Sequence, residues 1–373
     1  MGWTVTDLST RPGQVLGRGN PVSYLFASQG TQHCVVLEFS ATSQAINHAL
    51  IEWVSHNPGD PYDAIGLMIG VDAPLAASNP AAYVFRHEGT EHVLYSALND
   101  FGHIHELYWD GDWHHNELIG ASAGAPPAAS RANGYDFQPS FESTQHVVYR
   151  GLEGHVHELA RSQSSWNHFD LSADAGGPLA VAEPFGYGFD QQGTQHVVYR
   201  GADNTATSIH ELWWDRSGWH HEPLTQQTGA PPAASEPFGY VFSWEGTQHV
   251  DYVGTNGHVY ELWWNPTGWH VEDLTAHTGA PLAHFSAGVW GYPFDPAPGV
   301  PNPTQHVLYR GVDSHIHELW WDSTGWHHND LHGVPGTPLA SGDPTGFAHT
   351  GKGTQHVFFV SDTNHVIALQ WRP

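Results

Sequence analysis

Positive charge is scarce in this chain of 373 residues. Lysine and arginine together number 11, against 38 aspartates and glutamates, for a formal net charge of −27, and Lys352 is the only lysine. Such an excess of negative charge repels phosphate backbones and anionic lipid surfaces. We therefore expect no nucleic-acid partner and no attraction to an anionic membrane.

Cysteine and long apolar runs are also nearly absent. Cys34 is the only cysteine, so no intramolecular disulfide can form and the fold cannot depend on an oxidising compartment. No apolar stretch approaches the roughly 20 residues that span a bilayer, and residues 1–4 carry neither a basic segment nor the start of an apolar run. We expect a soluble protein without membrane insertion, either cytoplasmic or released without a conventional signal peptide.

Aromatic residues, glycine and one short phrase are plentiful instead. The chain contains 17 Trp, 41 Gly and 26 Pro, a composition typical of many short strands joined by tight turns. The tripeptide Thr-Gln-His, once with Glu in place of Gln, occurs seven times at intervals of 50 to 59 residues. Its threonines are Thr31, Thr90, Thr144, Thr194, Thr247, Thr304 and Thr354. This regularity indicates an architecture built from one repeated unit.

Each unit contains four short runs. In the sixth unit they are the aromatic phrase at 291–294, TQHVLYR at 304–310, HIHELWW at 315–321 and GWHHNDL at 325–331. The runs are aromatic and β-branched, are bounded by turn residues and lack a helical apolar period, so they are interpreted as strands. The sequence predicts an all-β fold, a seven-bladed β-propeller with four antiparallel strands per blade, in a single domain of residues 1–373.

The two ends of the chain complete one another. The seventh unit stops after Trp371 and lacks a fourth run, whereas residues 2–8 read GWTVTDL, which matches GWHHNDL. We therefore expect residues 1–9 to form the outer strand of the last blade. This pairing would close the ring and remove an exposed sheet edge.

Two positions are kept in all seven units. The His of the tripeptide is interpreted as a buried imidazole that hydrogen-bonds neighbouring backbone; its copies are His33, His92, His146, His196, His249, His306 and His356. The first aromatic residue of the fourth strand is expected to pack between blades, although one face of it could contact a ligand. Its copies are Trp3, Tyr62, Trp113, Trp166, Trp219, Trp269 and Trp326.

The third strand varies between units, as a binding feature would. A Glu occurs in five units, and in the second, fourth, fifth and sixth it is followed by two aromatic residues. Ala160-Arg161 replaces that pair in the third unit, Ala368 replaces the Glu in the seventh, and residues 49–53 of the first are out of pattern. An unpaired carboxylate is expensive to bury. Indole can instead stack on the apolar face of a pyranose while carboxylate and imidazole bind its hydroxyls.

These residues form the candidate sugar-binding set, and the alternative is that they only pack blade against blade. The set is His105, Glu106, Tyr108, Trp109, Trp113, His210, Glu211, Trp213, Trp214, Trp219, Glu261, Trp263, Trp264, Trp269, His317, Glu318, Trp320, Trp321 and Trp326.

A metal site is the competing interpretation for the histidines. His103 and His105 lie on one strand face at a spacing that can chelate zinc or copper, as do the pair at 315 and 317. Tyr260 replaces the second imidazole in the otherwise complete fifth unit, which argues against an essential metal. We therefore predict neither a metal nor a cofactor.

The repeated phrases TQHVVYRG, HIHELWW and GWHHNDL, spread along essentially the whole chain, resemble those of the seven-bladed propeller lectins of the Photorhabdus lectin family. The resemblance implies binding of L-fucose, and often of O-methylated sugars, in several pockets formed between or beside blades. By this resemblance, the pockets involve the aromatic, Glu and His residues of the third and fourth strands. The first unit (residues 31–67) and Ala160-Arg161 depart from the pattern, which counts against pockets there.

The expected function is that of a multivalent lectin for fucosylated or O-methylated glycans, with more than one and fewer than seven sites, no catalytic residue and possible homo-oligomerisation. A propeller glycosidase or lyase is one alternative. A glycosidase needs a pair of unlike carboxylates at one site, whereas the notable carboxylates here are copies in several blades, and no nucleophile elbow or phosphate loop occurs. A protein–protein scaffold is the other alternative and would show a large one-sided apolar patch. Residues 57–62 and 295–301 interrupt the repeat and resemble loop insertions.

Overall fold

A computed structural model of the protein describes residues 2–10, 15–40, 45–57, 59–122, 124–162, 165–202, 207–294 and 302–373, with backbone alone at 40 and 45–47. Of the two interruptions of the repeat, Pro58 and residues 295–301 lie outside the described residues. Within the described ranges, no helix combines the length and apolar character needed to cross a membrane.

Seven antiparallel sheets of four strands each make up the described structure, which confirms the predicted seven-bladed propeller. The first strand is β1 (Gly2–Asp7). Blade 1 contains β2 (Leu16–Phe26), β3 (Thr31–Ser40), β4 (Ala45–Ser55) and β5 (Asp63–Gly66). Blade 2 contains β6 (Ala81–Phe85), β7 (Thr90–Ser96), β8 (Ile104–Trp109) and β9 (Trp113–Glu117). Blade 3 contains β10 (Asn133–Phe137), β11 (Thr144–Arg150), β12 (Val156–Ser162) and β13 (Ser165–Asp170).

The remaining blades follow the same order. Blade 4 contains β14 (Phe185–Phe189), β15 (Thr194–Gly201), β16 (Ser208–Asp215) and β17 (Gly218–Glu222). Blade 5 contains β18 (Phe238–Phe242), β19 (Thr247–Val253), β20 (Val259–Asn265) and β21 (Gly268–Asp273). Blade 6 contains β22 (Val289–Phe294), β23 (Thr304–Arg310), β24 (Ile316–Asp322) and β25 (Gly325–Asp330). Blade 7 contains β26 (Thr345–His349), β27 (Thr354–Val360), β28 (Val366–Arg372) and β1.

The ring is closed by the two ends of the chain. Strand β1 pairs antiparallel with β28, and Trp3 lies directly opposite Trp371 while Val5 lies opposite Leu369. The sheet order β1-β28-β27-β26 makes β1 the outer strand of blade 7. The predicted closure is therefore confirmed, and β1 covers the edge that β28 would otherwise expose.

The apolar core lies between blades. Buried apolar side chains form seven clusters, each joining two neighbouring blades around the ring. Between blades 5 and 6, for example, Val253 and Val259 pack with Val307 and Leu319, all at most 1% exposed. Because both faces of every sheet are covered, each blade depends on its neighbours for burial, as expected for a propeller.

A short helical turn follows the outer strand in most blades. The turns are α1 (Leu118–Ala121), α2 (Leu171–Ala175), α3 (Leu224–Thr228) and α4 (Leu274–Thr278), with 3-10 turns at Leu8–Thr10 and Leu331–Gly333; a further 3-10 turn spans Thr350–Lys352. The leucine that ends each predicted fourth run instead begins this turn and is buried. In most of these turns the acidic residue before the leucine is the cap, as Asp273 is by accepting the Ala276 N–H at 2.9 Å, whereas Pro223 precedes α3 and makes no side-chain cap. The outer strand therefore ends one residue earlier than the sequence pattern suggests.

The turn between the third and fourth strands fixes the aromatic residues that flank it. In blade 6, the Asp322 carboxylate accepts the Thr324 N–H at 2.8 Å, and Gly325 adopts a φ of 123°, which favours glycine. Asp322 and Gly325 are the last pair of the ladder, so Trp321 lies directly opposite Trp326. The indoles of Trp321 and Trp326 therefore lie at the same end and on the same face of blade 6.

Candidate functional site

Each blade has two faces that carry different functional side chains, because successive side chains leave a strand in opposite directions. The face that carries the tripeptide His is named the His face, and the other the Gln face. In blade 4 the His face carries Tyr187, His196, Glu211, Trp213 and His220, and the Gln face carries Gln195, His210, Trp214 and Trp219. The two consecutive tryptophans of a third strand therefore belong to opposite faces.

The His face of one blade meets the Gln face of the next. The hydroxyl of Tyr187 in blade 4 donates to Oε1 of Gln248 in blade 5 over 3.1 Å. Phe242 of blade 5 makes an edge contact with Trp321 of blade 6, with ring centroids 6.3 Å apart. The same tyrosine–glutamine bond joins Tyr83 to Gln145, Tyr135 to Gln195, Tyr240 to Gln305 and Tyr292 to Gln355.

The space between two neighbouring blades therefore has two walls. One blade contributes the first aromatic residue of its third strand. The next blade contributes the second aromatic residue of its own third strand and the tryptophan of its outer strand. We call this space an interblade groove and number it by its two blades. Among the described residues, three grooves have the full set. They are groove 4/5 (Trp213, His220, Trp264, Trp269), groove 5/6 (Trp263, His270, Trp321, Trp326) and groove 6/7 (Trp320, His327, Trp371, Trp3). All of these side chains are partly exposed.

The first wall of each complete groove is an indole stacked on an imidazole. The ring centroids of Trp213 and His220 are 4.2 Å apart with 25° between planes, and the pairs in grooves 5/6 and 6/7 repeat this geometry. Nε2 of His220 bonds Asp215 at 3.1 Å, which leaves Nδ1 without a hydrogen-bond partner in the described part of the chain. The Ser217 hydroxyl and N–H, together with His220, lower the pKa of Asp215 to about 2. The wall therefore combines a rigid apolar face with a free polar nitrogen.

The second wall consists of two indoles from the next blade. In groove 6/7 these are Trp371 and Trp3, and Trp371 contacts Phe294 of blade 6 edge-on at 6.3 Å. A cavity of about 620 Å³ lies along Trp3, Trp371, Asn329 and the connector at 331–335. Nε1 of Trp320, on the first wall, is buried and has no hydrogen-bond partner among the described residues. This groove therefore offers aromatic faces and space.

The predicted glutamates lie behind the grooves. Glu106, Glu211, Glu261 and Glu318 are each 2–3% exposed. In blade 6, Oε1 of Glu318 accepts Nδ1 of His306 at 2.8 Å, and Nε2 of His306 bonds the Thr304 hydroxyl at 2.7 Å. The tripeptide histidines are buried as predicted, but their partners are side chains rather than backbone. A carboxylate held in this way stabilises the blade and does not reach a ligand in the groove.

The pKa of the carboxyl in this network reflects its partners. Burial alone would raise the pKa of Glu106, but the charge and hydrogen bond of His92, with bonds from Asn116 and Tyr83, lower it below its ordinary value. The first unit holds the same network, since Glu52 accepts Nδ1 of His33 at 2.8 Å. The interpretation of residues 49–53 as out of pattern is therefore corrected: the Glu is present and only the aromatic pair is missing.

The predicted histidines also lie away from the groove. They are buried on the Gln face of their blades, and they are His105, His210 and His317. Each lies four positions before the second aromatic residue of its strand, which places the two about 13 Å apart along the strand. Nδ1 of His317 bonds His328 at 3.0 Å and its Nε2 bonds Asp313 at 3.1 Å. Ligand atoms of Asp313, His315 and His317 lie within 4.8 Å of one another, as do those of His33, Glu52 and Glu91. Among the described residues, the clusters that could hold a metal therefore lie outside the three grooves.

The other grooves depart from the full set. Groove 1/2 has Trp109 and Trp113 opposite Val54, groove 3/4 has Trp214 and Trp219 opposite Ala160, and groove 7/1 has Gln370 opposite Ser55 and Tyr62. Groove 2/3 has Tyr108 and His114 opposite Arg161 and Trp166. Of the predicted aromatic residues, Trp109, Trp113, Trp214 and Trp219 thus line a groove whose first wall is absent.

Several groove residues are missing from the sequence-based set. Trp371, Trp3 and the imidazoles of His220, His270 and His327 complete the grooves, yet the sequence pattern grouped the candidate residues by repeat unit. The signal that could have found them is the two-residue alternation of a strand. It separates consecutive tryptophans and assigns them to two different blade pairs.

A further concave feature of the described structure lies in the central channel. A cavity of about 600 Å³ there is lined by the inner strands and the segments that precede them. Several of its polar groups bond one another: Arg131 donates to Glu183 at 3.1 Å, and Asn20 donates to Asp343 at 3.1 Å. These groups are therefore already paired within the protein.

Comparison with solved structures finds other propellers. The BP39L lectin from Burkholderia pseudomallei aligns over 95% of this chain and 96% of its own, with a TM-score of 0.62 and 16% identity. The Aleuria aurantia lectin, described as a six-bladed β-propeller with a novel fucose recognition mode, aligns over 79% and 90% with a TM-score of 0.52 and 15% identity. The SapL1 lectin in complex with α-methyl fucoside aligns over 79% and 92% with a TM-score of 0.50 and 15% identity.

At these identities the likeness shows the β-propeller fold. No protein-family model matches the chain, and no curated protein sequence does. The resemblance to the Photorhabdus lectins, which rests on the repeated phrases, therefore stays a hypothesis.

Proposed function

We propose that this protein is a multivalent carbohydrate-binding lectin whose sugar sites are grooves 4/5, 5/6 and 6/7. The observation that carries the proposal is one arrangement repeated three times, an indole–imidazole stack on one blade opposite two partly exposed indoles on the next. Indole faces suit the apolar face of a pyranose, and the free imidazole nitrogen and the indole N–H suit its hydroxyls.

The sugar that we propose is L-fucose or an O-methylated sugar. Each presents a methyl group beside the ring, and a groove with three indoles can bury that group from water. Two propeller lectins of similar fold are described with fucose recognition or with bound α-methyl fucoside. The resemblance of the repeated phrases to the Photorhabdus lectins points to the same sugars.

We further propose that the protein binds sugar without cleaving it. The carboxylate that recurs from blade to blade is buried and paired with His, as Glu318 is with His306. A glycosidase needs two accessible carboxyl groups about 5–9.5 Å apart on either side of the glycosidic bond. A buried structural glutamate cannot supply either of them.

A small sugar in a partly open groove gains limited free energy. We expect single-site dissociation constants in the micromolar to millimolar range, about −8 to −4 kcal/mol. Several sites that engage one glycan-coated surface can raise the overall affinity by about 10²–10⁴-fold. Multivalency is therefore the property that makes weak grooves useful.

Calorimetric titration with α-methyl-L-fucoside tests the proposal. We expect about three equivalent sites per chain and no change after dialysis against EDTA, since the grooves consist of aromatic and imidazole side chains. A stoichiometry of one, or binding that is lost with EDTA and restored by zinc, contradicts the groove assignment. A glycan array without any fucosylated or O-methylated ligand contradicts the choice of sugar.

A further inference from the structure

Groove 2/3 keeps the first wall of the complete grooves but changes the second. Tyr108 and His114 of blade 2 stack with ring centroids 4.9 Å apart and 24° between planes. On blade 3, Trp166 occupies the outer-strand position, but Arg161 stands where the complete grooves have an indole, directly opposite Trp166 in the ladder. This groove therefore combines aromatic faces with a guanidinium group.

Arg161 reaches toward blade 2 and lacks a strong partner. Its Nη1 lies 3.9 Å from Oε2 of Glu88, which is too long for a hydrogen bond, and 28% of the Arg161 side chain is exposed. Its guanidinium forms no hydrogen bond within the described ranges. A guanidinium carries five N–H donors in a planar fork that matches a carboxylate. The groove thus presents an unsatisfied, charged set of donors beside aromatic rings.

The net charge of −27 opposes an anionic ligand at long range. At 0.15 M salt, however, charges more than about 8 Å away are largely screened, so the groups nearest the ligand decide. Those groups include Arg161, Glu88, Asp110 and the buried Glu106, and Asp110 is held by Nε2 of His114 at 2.9 Å. Glu88, at 3.9 Å, is the carboxylate that competes for the guanidinium.

We propose that groove 2/3 binds an acidic monosaccharide of the uronic acid class, with the sugar carboxylate held by Arg161 and the ring against Tyr108 and Trp166. The inference rests on the proposed function, because it assumes that interblade grooves are sugar sites. It adds that Arg161, in the place of an indole, changes the sugar that groove 2/3 binds from a neutral to an anionic one. One chain then carries two kinds of sugar site.

The test compares two sugars that differ only at C6. Methyl β-D-glucuronide carries a carboxylate there, and methyl β-D-glucoside carries a hydroxymethyl group. With the full chain in 0.15 M NaCl, calorimetry and saturation-transfer NMR are expected to show one glucuronide site and at least tenfold weaker glucoside binding. Raising the salt to 0.5 M is expected to weaken the glucuronide alone.

Three variants assign the effect to this groove. Arg161→Gln is expected to weaken glucuronide binding at least tenfold, Arg161→Lys to keep part of it, and Glu88→Gln to strengthen it, since the competing carboxylate is gone. In all three, the stoichiometry of α-methyl-L-fucoside is expected to stay unchanged, which also shows that the variants are folded.

The outcomes separate this inference from the proposed function. If glucuronide binds no better than glucoside, or binds Arg161→Gln as well as the parent, the inference is overturned while a fucoside stoichiometry of three still supports the neutral grooves. If glucuronide binding depends on Arg161 but no fucoside binds, the acidic site stands and the assignment of the three complete grooves fails.

Discussion

Trp320 and Trp321 are consecutive in the chain, yet they serve different grooves. Trp320 lies opposite His327 on the His face of β24 and faces blade 7, whereas Trp321 lies opposite Trp326 on the Gln face and faces blade 5. Both neighbouring blades present aromatic residues to them, Trp371 on one side and Trp263 on the other. A pair of adjacent substitutions can therefore separate two sites.

The first prediction uses this pair. Trp320→Ala is expected to remove groove 6/7 and Trp321→Ala to remove groove 5/6, so each lowers the calorimetric stoichiometry of α-methyl-L-fucoside from about three to about two. The double variant is expected to leave one site, because the two indoles act in separate places. Trp109→Ala is the matched control, since its groove has Val54 in place of the first indole. A double variant that loses only one site would mean that both indoles line a single pocket.

The second prediction concerns β1, which both closes the ring and contributes to groove 6/7. Deleting residues 1–9 exposes the edge of β28 and removes the paired strand from Gly2 to Asp7, so the melting temperature is expected to fall steeply. Trp3→Ala alone is expected to keep the fold and remove one fucoside site. Thermal unfolding and calorimetry measure the two effects separately. A truncated chain that melts cooperatively at the parent temperature would refute the closure.

The fold could be predicted because its determinants are local and repeated. The spacing of the Thr-Gln-His phrase gives the number of blades, the four runs give the strands, and the match between residues 2–8 and 325–331 gives the closure. None of these inferences requires knowing which face of one blade lies against which face of the next. Strand ends were less well predicted, because the final leucine of each outer run starts a helical turn.

The candidate site was harder to predict because its residues come from two blades. Sequence grouping joins Glu211, Trp213 and Trp214 by proximity, but the alternation of a strand places Trp214 on the opposite face. The glutamate was assigned to a ligand because a lone buried carboxylate is unfavourable. It has a partner, the tripeptide His of the adjacent strand, whose distance in sequence hides the pairing.

The third prediction tests that buried pair. Glu318→Gln removes the carboxylate that accepts from His306, and an unsatisfied buried group is expected to lower the free energy of unfolding by about 1–3 kcal/mol. Urea denaturation measures this loss, and Glu272→Gln on the outer strand of blade 5 is the control, with an expected change within about 0.5 kcal/mol. The fucoside stoichiometry should remain three. Unchanged stability together with the loss of one fucoside site would indicate that Glu318 contacts the ligand.

Blade 7 shows how a blade manages without this glutamate. Ala368 stands in its place. The third strand instead offers His356 the side chain of Gln370, whose Nε2 lies 3.5 Å from Nε2 of His356. Burial, with the charges of His349 and Arg372, lowers the pKa of His356 to about 3, so this imidazole stays neutral.

Between blades 1 and 2 the network carries an additional carboxylate. Glu91 stands where the other units have Gln, is 4% exposed and places Oε2 3.4 Å from Nδ1 of His33, which also contacts Glu52 at 2.8 Å. Burial, against the opposing charge of His33 and with the added charge of Glu52, raises the pKa of Glu91 to about 7. Burial lowers the pKa of His33, but the hydrogen bond and charge of Glu52 and the charge of Glu91 raise it overall.

The fourth prediction follows from the sign of these shifts. A carboxyl with a pKa near 4.5 in the unfolded chain and about 7 in the folded one stabilises the fold below pH 4.5, and this contribution is lost as the pH rises through 7. Glu91→Gln removes the titrating group, so it is expected to match the parent near pH 4.5 and to exceed its free energy of unfolding by up to about 3 kcal/mol at pH 8. Urea denaturation across this range measures the difference, with the exposed Glu88→Gln as control. Parallel stability curves for the parent and Glu91→Gln would show that Glu91 is ionised at no cost in the folded protein.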